Sequence, residues 1–249
     1  MMTAIAIRSP VVARPRLQAW VRLVATVLIP LVAGAIAMVV AQLIGVTGRE
    51  RSAIFYGVQL VAALVVAQRT YGLRTIGLGA WPGSPAFGWS AALVAARLVP
   101  WLLLIPLVGW THDPLQLLSA FAYFLLFTAA AEEVLFRGLL WQGIVGLGAG
   151  LLTAAVASSA VFGLFHFGGG LLFLPVFAAD GLAFCALRLR TDSLYPPIAA
   201  HGVLNFTTAA LLVSTNVVSD ARAIVYVALV VAIDIAFWAE CTRSRRRAA

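Results

Sequence analysis

The chain has 249 residues, 63% of them hydrophobic and only 10% charged, with a formal net charge of +8. A soluble domain is about half apolar and about one quarter charged, so a soluble globule is excluded: this chain has too few polar side chains to cover one. Its mean hydropathy of +1.02 fits a membrane protein with room for about eight spans of ~20 residues and no second, soluble domain.

The chain opens on a basic segment, residues 1–22, carrying Arg8, Arg14, Arg16 and Arg22. The apolar run over 23–45 is too long for the core of a signal peptide, and no small-residue cleavage site closes it. It reads as the first span. Further apolar runs follow at 52–68, 87–108, 115–142, 150–167, 171–187, 195–214 and 222–240. Between them lie Gly45 and Gly48 with Arg49, then Gly72 to Pro85, Gly109 to Pro114, Gly143 to Gly150, Gly168 to Gly170, Arg188 to Ser193 and Ser214 to Asp220, all helix-breaking or polar stretches. A basic tail, 241–249, closes the chain. The expected fold is all-α: a polytopic bundle of about eight transmembrane helices over 23–240, without internal repeats or low-complexity segments.

All 17 basic residues are arginine. So many could signal a nucleic-acid partner, but their placement signals topology, because cytoplasmic loops collect arginine. With the N-terminus inside, the loops at 69–86 and 188–194 and the tail are also inside, and these carry the arginines. The loops at 109–114, 168–170 and 214–221 fall outside and are nearly free of them; Arg49, Arg51 and Arg222 run against the pattern. We therefore expect a cell-membrane protein with both termini cytoplasmic and no nucleic-acid partner. Arginine without lysine, with abundant Ala, Gly and Val, suggests a GC-rich, bacterial genome. Cys185 and Cys241 fall near cytoplasmic helix ends, where thiols stay reduced, and their spacing gives no metal signal.

Most ionisable residues avoid the spans, as the cost of burying them in lipid requires. Three clusters do not. Glu132-Glu133-Val-Leu-Phe-Arg137 lies late in the fourth run; Glu133 and Arg137, four apart, share a helix face and can pair. Glu132, turned ~100° away, has no partner at that spacing and is free for a proton. Phe162-Gly-Leu-Phe-His166 closes the fifth run. His201-Gly-Val-Leu-Asn205 opens the seventh, with His201 and Asn205 on one face. The remaining histidine, His112, falls in an exterior loop. Counted from the glycine-rich turn at 146–150, Glu132 and His166 come out at nearly equal depth. His201, some ten residues past the loop at 188–194, comes out shallower, unless a bent segment after Arg137 compensates. Each cluster alone has a packing explanation: an interhelical hydrogen bond for a histidine or asparagine, a structural ion pair for Glu133 and Arg137. All three together point to chemistry. Arg97, Asp180 and Asp234, also at membrane depth, match no motif and could pair with one another or solvate a cavity.

In order and spacing, EExxxR, FxxxH and HxxxN, these clusters resemble the CPBP family, the CAAX-protease and bacteriocin-processing proteins also called Abi. The run from Thr191 through Pro196 and Pro197 to His201 resembles the family's approach to its third motif. The likeness covers about 120–210. It implies an intramembrane glutamic endopeptidase in which Glu132 and His166 activate a water, His201 and Asn205 stabilise the oxyanion, and Glu133 with Arg137 support them. The implied partners are a membrane-associated protein or peptide substrate and the lipid bilayer. No cofactor is expected; Glu132, His166 and His201 could ligate zinc, but no HExxH is present and the resemblance favours a metal-free site. Two other functions compete: a non-catalytic scaffold or bacteriocin-immunity protein on the same fold, and a small proton-coupled transporter, for which no inverted repeat speaks.

Overall fold

The computed structural model describes residues 16–79, 81–111, 113–214 and 220–248. His112, the first fifteen residues and the loop at 215–219 lie outside the described residues. The helices are α1 (Arg16–Leu43), α2 (Gly48–Thr70), α3 (Ser84–Leu104), α4 (Pro114–Gly146), α5 (Leu151–Phe165), α6 (Leu174–Thr191), α7 (Tyr195–Phe206, continued by a wide turn over Thr207–Leu211) and α8 (Asp220–Ala248). They stand where the eight apolar runs do. α1 and α8 extend beyond the apolar cores into the basic flanks.

Six of them, α1 to α4, α6 and α8, are long and apolar enough to cross a membrane. α5 has 15 residues and α7 has 12 before its wide turn, both short of the ~20 a full span needs. Among the described residues length alone therefore gives six spans, against the eight expected. α5 stops early because Gly168 to Gly170 follow it, and Gly170 adopts a φ of +96° that only glycine takes readily. The ends of the runs at 87–108 and 195–214 differ too. Residues Leu107–Trp110 form strand β1, which pairs antiparallel with β2, Leu212–Ser214. An extended segment must find backbone partners outside itself, and these two find each other. Loops expected on one side of the membrane thus meet.

On the opposite side, the segment Arg74–Leu78 packs into the bundle. The Leu194 N–H donates to the Gly77 carbonyl at 2.9 Å, and Gln142 Nε2 donates to the Thr75 carbonyl at 2.8 Å. Between α6 and α7 the turn is buried, with Leu194 at 0% exposure and Ser193 at 2%.

Polarity is inverted relative to a soluble protein. Val21, Val24, Leu28 and Val32 on α1 face outward, as lipid requires, while Glu132, Glu133, Arg137 and Asp234 are buried. α4 carries the central acidic pair. Asp113 caps its start, its carboxylate accepting from the Leu115 and Gln116 N–H groups, with Pro114 in the first turn, where a missing N–H costs nothing. The helix widens to i→i+5 turns over Tyr123–Ala129 and Val134–Leu140, on either side of Glu132 and Glu133. Such turns are frequent at functional sites, because each re-aims the side chains after it.

Candidate active site

Glu132 and Glu133 sit at the middle of the bundle, where α4 meets α2, α5, α6 and α7. Glu133 is fully buried, and its Oε1 accepts two hydrogen bonds: from Arg137 Nη1 at 3.0 Å and from His201 Nδ1 at 2.8 Å. The first is the i,i+4 pair read from the sequence. The second joins residues 68 apart. Arg137, also fully buried, has its guanidinium carbon 4.2 Å from the centre of the Phe162 ring, with Phe184 and Phe136 further out. A desolvated cation on an aromatic face is stabilised, so the aromatic residues share the burial of this charge.

Glu132 points the other way. Its Oε2 is 3.6 Å from His201 Nε2 and 3.8 Å from His166 Nε2, and has no hydrogen-bond partner. Tyr56 of α2 stands near this carboxylate.

His166 owes its orientation to the end of α5. It is the helix's closing residue, and its Nδ1 lies 2.8 Å from the Phe162 carbonyl, one of the last-turn carbonyls that a helix leaves without an internal partner. A carbonyl only accepts, so Nδ1 carries the hydrogen, and Nε2 is the ring nitrogen that faces Glu132. His201 is clamped by Phe184, stacked at 4.9 Å and 14°; His166 is stacked on Phe177 at 4.5 Å. Phe162 touches both imidazoles, which gives the first residue of its motif a physical role.

One cavity of about 280 Å³ is lined by His166, His201 and Asn205, with Phe162, Phe177 and Phe184 in its wall. Asn205 stands one turn beyond His201. Glycines let the helices close up: a Cβ on Gly202 would meet the Leu125 Cα at 2.9 Å, and one on Gly181 the Ser159 Cα at 2.9 Å. Among the described residues no group of three or more His, Cys, Asp or Glu is arranged to hold a metal ion.

A family model described as type II CAAX prenyl endopeptidase Rce1-like matches residues 114–207. Over that segment the chain is similar to that family of CAAX endopeptidases, in keeping with the CPBP resemblance of its motifs. The segment runs from the start of α4 to the end of α7 and contains all three CPBP motifs. No curated protein and no solved structure matches the chain.

Several residues around the three motifs, Asp180 apart, went unmarked in the sequence. Phe177, Asp180 and Phe184 form one stripe on α6, and their spacing of three and four was a legible signal of a shared face. Tyr56 lies outside the matched segment, and nothing in its spacing marks it. Arg97, Asp180 and Asp234 do meet: Arg97 Nη2 is 2.5 Å from Asp180 Oδ1, and Nε is 3.6 Å from Asp234 Oδ1.

Proposed function

We propose that the protein is an intramembrane endopeptidase that hydrolyses a peptide bond of a membrane-associated protein or peptide, with water as the nucleophile. The observation that carries this is the meeting of Glu132 Oε2 with two imidazole Nε2 atoms inside 4 Å. Of these atoms, Glu132 Oε2 and His166 Nε2 are two acceptors facing each other, which is unfavourable without a proton between them. A water there can donate to Glu132 and to His166, which leaves an oxygen lone pair for attack.

Charge arithmetic assigns the histidines. Glu132, Glu133 and Arg137 leave one negative charge uncompensated, and a buried site needs one more proton. His201, between both carboxylates, is where that proton rests; Nδ1–H donates to Glu133 and Nε2–H is then a donor. His166 has its Nδ1–H held by the Phe162 backbone carbonyl. In the reaction, the water oxygen bonds to the scissile carbonyl carbon and its proton passes to Glu132, with His166 as the second acceptor. The oxyanion accepts from His201 Nε2–H and the Asn205 amide. Collapse breaks the C–N bond, and the leaving amine takes the proton from Glu132. A carboxylic acid and an amine result. A positioned base supplies about 10²–10⁴ in rate, and an oxyanion donor about 10²–10³. Every step uses the chain's own groups, in keeping with a glutamic rather than a metal-dependent site.

The same reading places the chain in a bacterial cell membrane with both termini cytoplasmic. The arginine bias supports it, as does the meeting of Arg74–Leu78 with the turn before α7. The deciding experiment is cleavage of membrane peptides by the purified protein, with Glu132→Gln and a chelator as controls. We expect Glu132→Gln to lose at least ~10²-fold in rate while remaining folded, and the chelator to have no effect. Full activity in Glu132→Gln would overturn the glutamic mechanism. Loss with chelator, restored by zinc, would make it a metalloprotease. A cellular phenotype that survives Glu132→Gln, without cleavage, would make the protein a scaffold.

A further inference from the structure

Glu132 Oε2 faces the two histidines without a hydrogen-bond partner. Thr128 stands four residues earlier on α4, about one turn away whether the turn is regular or wide. It is 6% exposed, and its hydroxyl oxygen has no hydrogen-bond partner either. Among the described residues it is the only serine or threonine oxygen left both buried and unpartnered. Other hydroxyls of the bundle reach a carbonyl one turn back: Ser159 donates to Ala155, Thr191 to Leu187 and Thr208 to Leu204, at 2.7–2.8 Å. Thr128 lies in the wide turn Tyr123–Ala129 and makes no such bond. A buried hydroxyl left alone costs stability that valine, of the same shape, would not. The neighbours of Thr128 fix its direction. Leu125, Thr128 and Glu132 share one face of α4 by their spacing of three and four. At one end of this face Leu125 lies against Gly202 of α7; at the other, Glu132 Oε2 is 3.6 Å from His201 Nε2. Thr128, between them, therefore faces α7 beside the Glu132 side chain.

On the protease reading above, we propose that Thr128 is a positioning residue for the reaction: its hydroxyl donates to the Glu132 carboxylate and holds it against the histidines while it takes the proton of the attacking water. A hydroxyl donates and a carboxylate accepts, and side chains four apart on a helix meet by rotation about their own bonds. One lone pair of the carboxylate oxygen accepts from Thr128, and the other stays open to the water. Without the hydroxyl the carboxylate keeps its chemistry but moves between rotamers, and it meets the water less often in the geometry that reacts. The cavity's lining does not include Thr128, so the residue acts through Glu132 and not on the peptide.

The test uses the full chain in lipid nanodiscs, with fluorescent apolar decapeptides as substrates. It compares Thr128→Val, which keeps the shape and loses the hydroxyl, with Thr128→Ser, which keeps the hydroxyl. Thr128→Val should lower kcat roughly tenfold or more, the scale of one hydrogen bond to a charged group, with KM and the unfolding midpoint close to those of the unaltered protein. Thr128→Ser should restore kcat to within a few-fold. Thr128→Ala takes the place of the valine variant if that one does not fold. In a Glu132→Gln background Thr128→Val should cost nothing further, because the two act as one unit. An infrared spectrum needs no cleavage: the band lost in Glu132→Gln marks the Glu132 carboxyl group, and it should move in Thr128→Val and stay in Thr128→Ser. A band that moves in a protein that cuts no peptide upholds the contact and removes the protease reading alone. An unchanged kcat in Thr128→Val, an equal loss in Thr128→Ser, a change confined to KM, or a band that stays in place overturns the proposal.

Discussion

Replacing Glu133 by Gln removes one negative charge and leaves the side-chain volume. In the structure that charge serves two partners at once, Arg137 at 3.0 Å and His201 at 2.8 Å, with Glu133 and Arg137 both fully buried. Breaking a buried ion pair from one side costs about 3–5 kcal/mol, because the other charge stays buried without compensation. The Phe162 face under Arg137 returns no more than about 2 kcal/mol, and it is present before and after the change. The expected loss is therefore about 3–5 kcal/mol, a fall in unfolding midpoint on the order of 10 °C for a chain of this size. Thermal unfolding of purified protein in detergent measures it. A second variant separates the two jobs of Glu133. Glu133→Gln with Arg137→Met removes both charges, and such double replacements are often neutral or stabilising. Stability should return, but cleavage should not, because His201 still lacks its carboxylate. An unfolding midpoint unchanged in the single variant would refute the buried-pair argument. Recovered cleavage in the double variant would refute the role of Glu133 in holding His201.

Asn205→Ala should lower kcat by about 10²–10³ and leave the unfolding midpoint in place, since the side chain lines a cavity; a rate within a factor of a few of the original removes it from the oxyanion site. Gly202→Ala puts a methyl against the Leu125 Cα; α7 must shift, at about 1–3 kcal/mol, and because His201 is the adjacent residue, activity should fall more steeply than stability, as parallel assays at one temperature will show. Reporter fusions after residue 110 should read exterior and fusions after Arg190 cytoplasmic; an interior signal at 110 reverses the topology.

Within one helix, the sequence is a good guide. The Glu133–Arg137 pair follows from a spacing of four, and the same geometry shows that Glu132 faces elsewhere. What Glu132 faces was not legible, because it depends on where three other helices stop and turn. His201 shows why. Counting residues from an exposed loop puts it too shallow, but the turn before α7 is sunk into the bundle. Leu194 lies against Gly77 and Gly138, so α7 starts well inside, and its seventh residue past Leu194 arrives beside Glu132 and Glu133. No bend after Arg137 is needed. The buried turn could not be foreseen from composition: Asp192, Ser193 and Thr191 look like a surface loop. Helix lengths failed similarly at α5, where apolar residues continue past Phe165 but three glycines end the helix and place His166 at its tip.

The groups proposed for the chemistry, from Glu132 to Asn205, all come from one continuous stretch of the chain, residues 114–207. The cavity beside His166, His201 and Asn205 takes part of its far wall from elsewhere: Arg97, Trp101 and Ile105 on or just after α3, and Tyr226 on α8, next to Asp180 of α6. Heredity can act on the two parts separately. A gene copy that drifts in α3 and α8 remodels that far side of the cavity while the groups proposed for the reaction stay as they are.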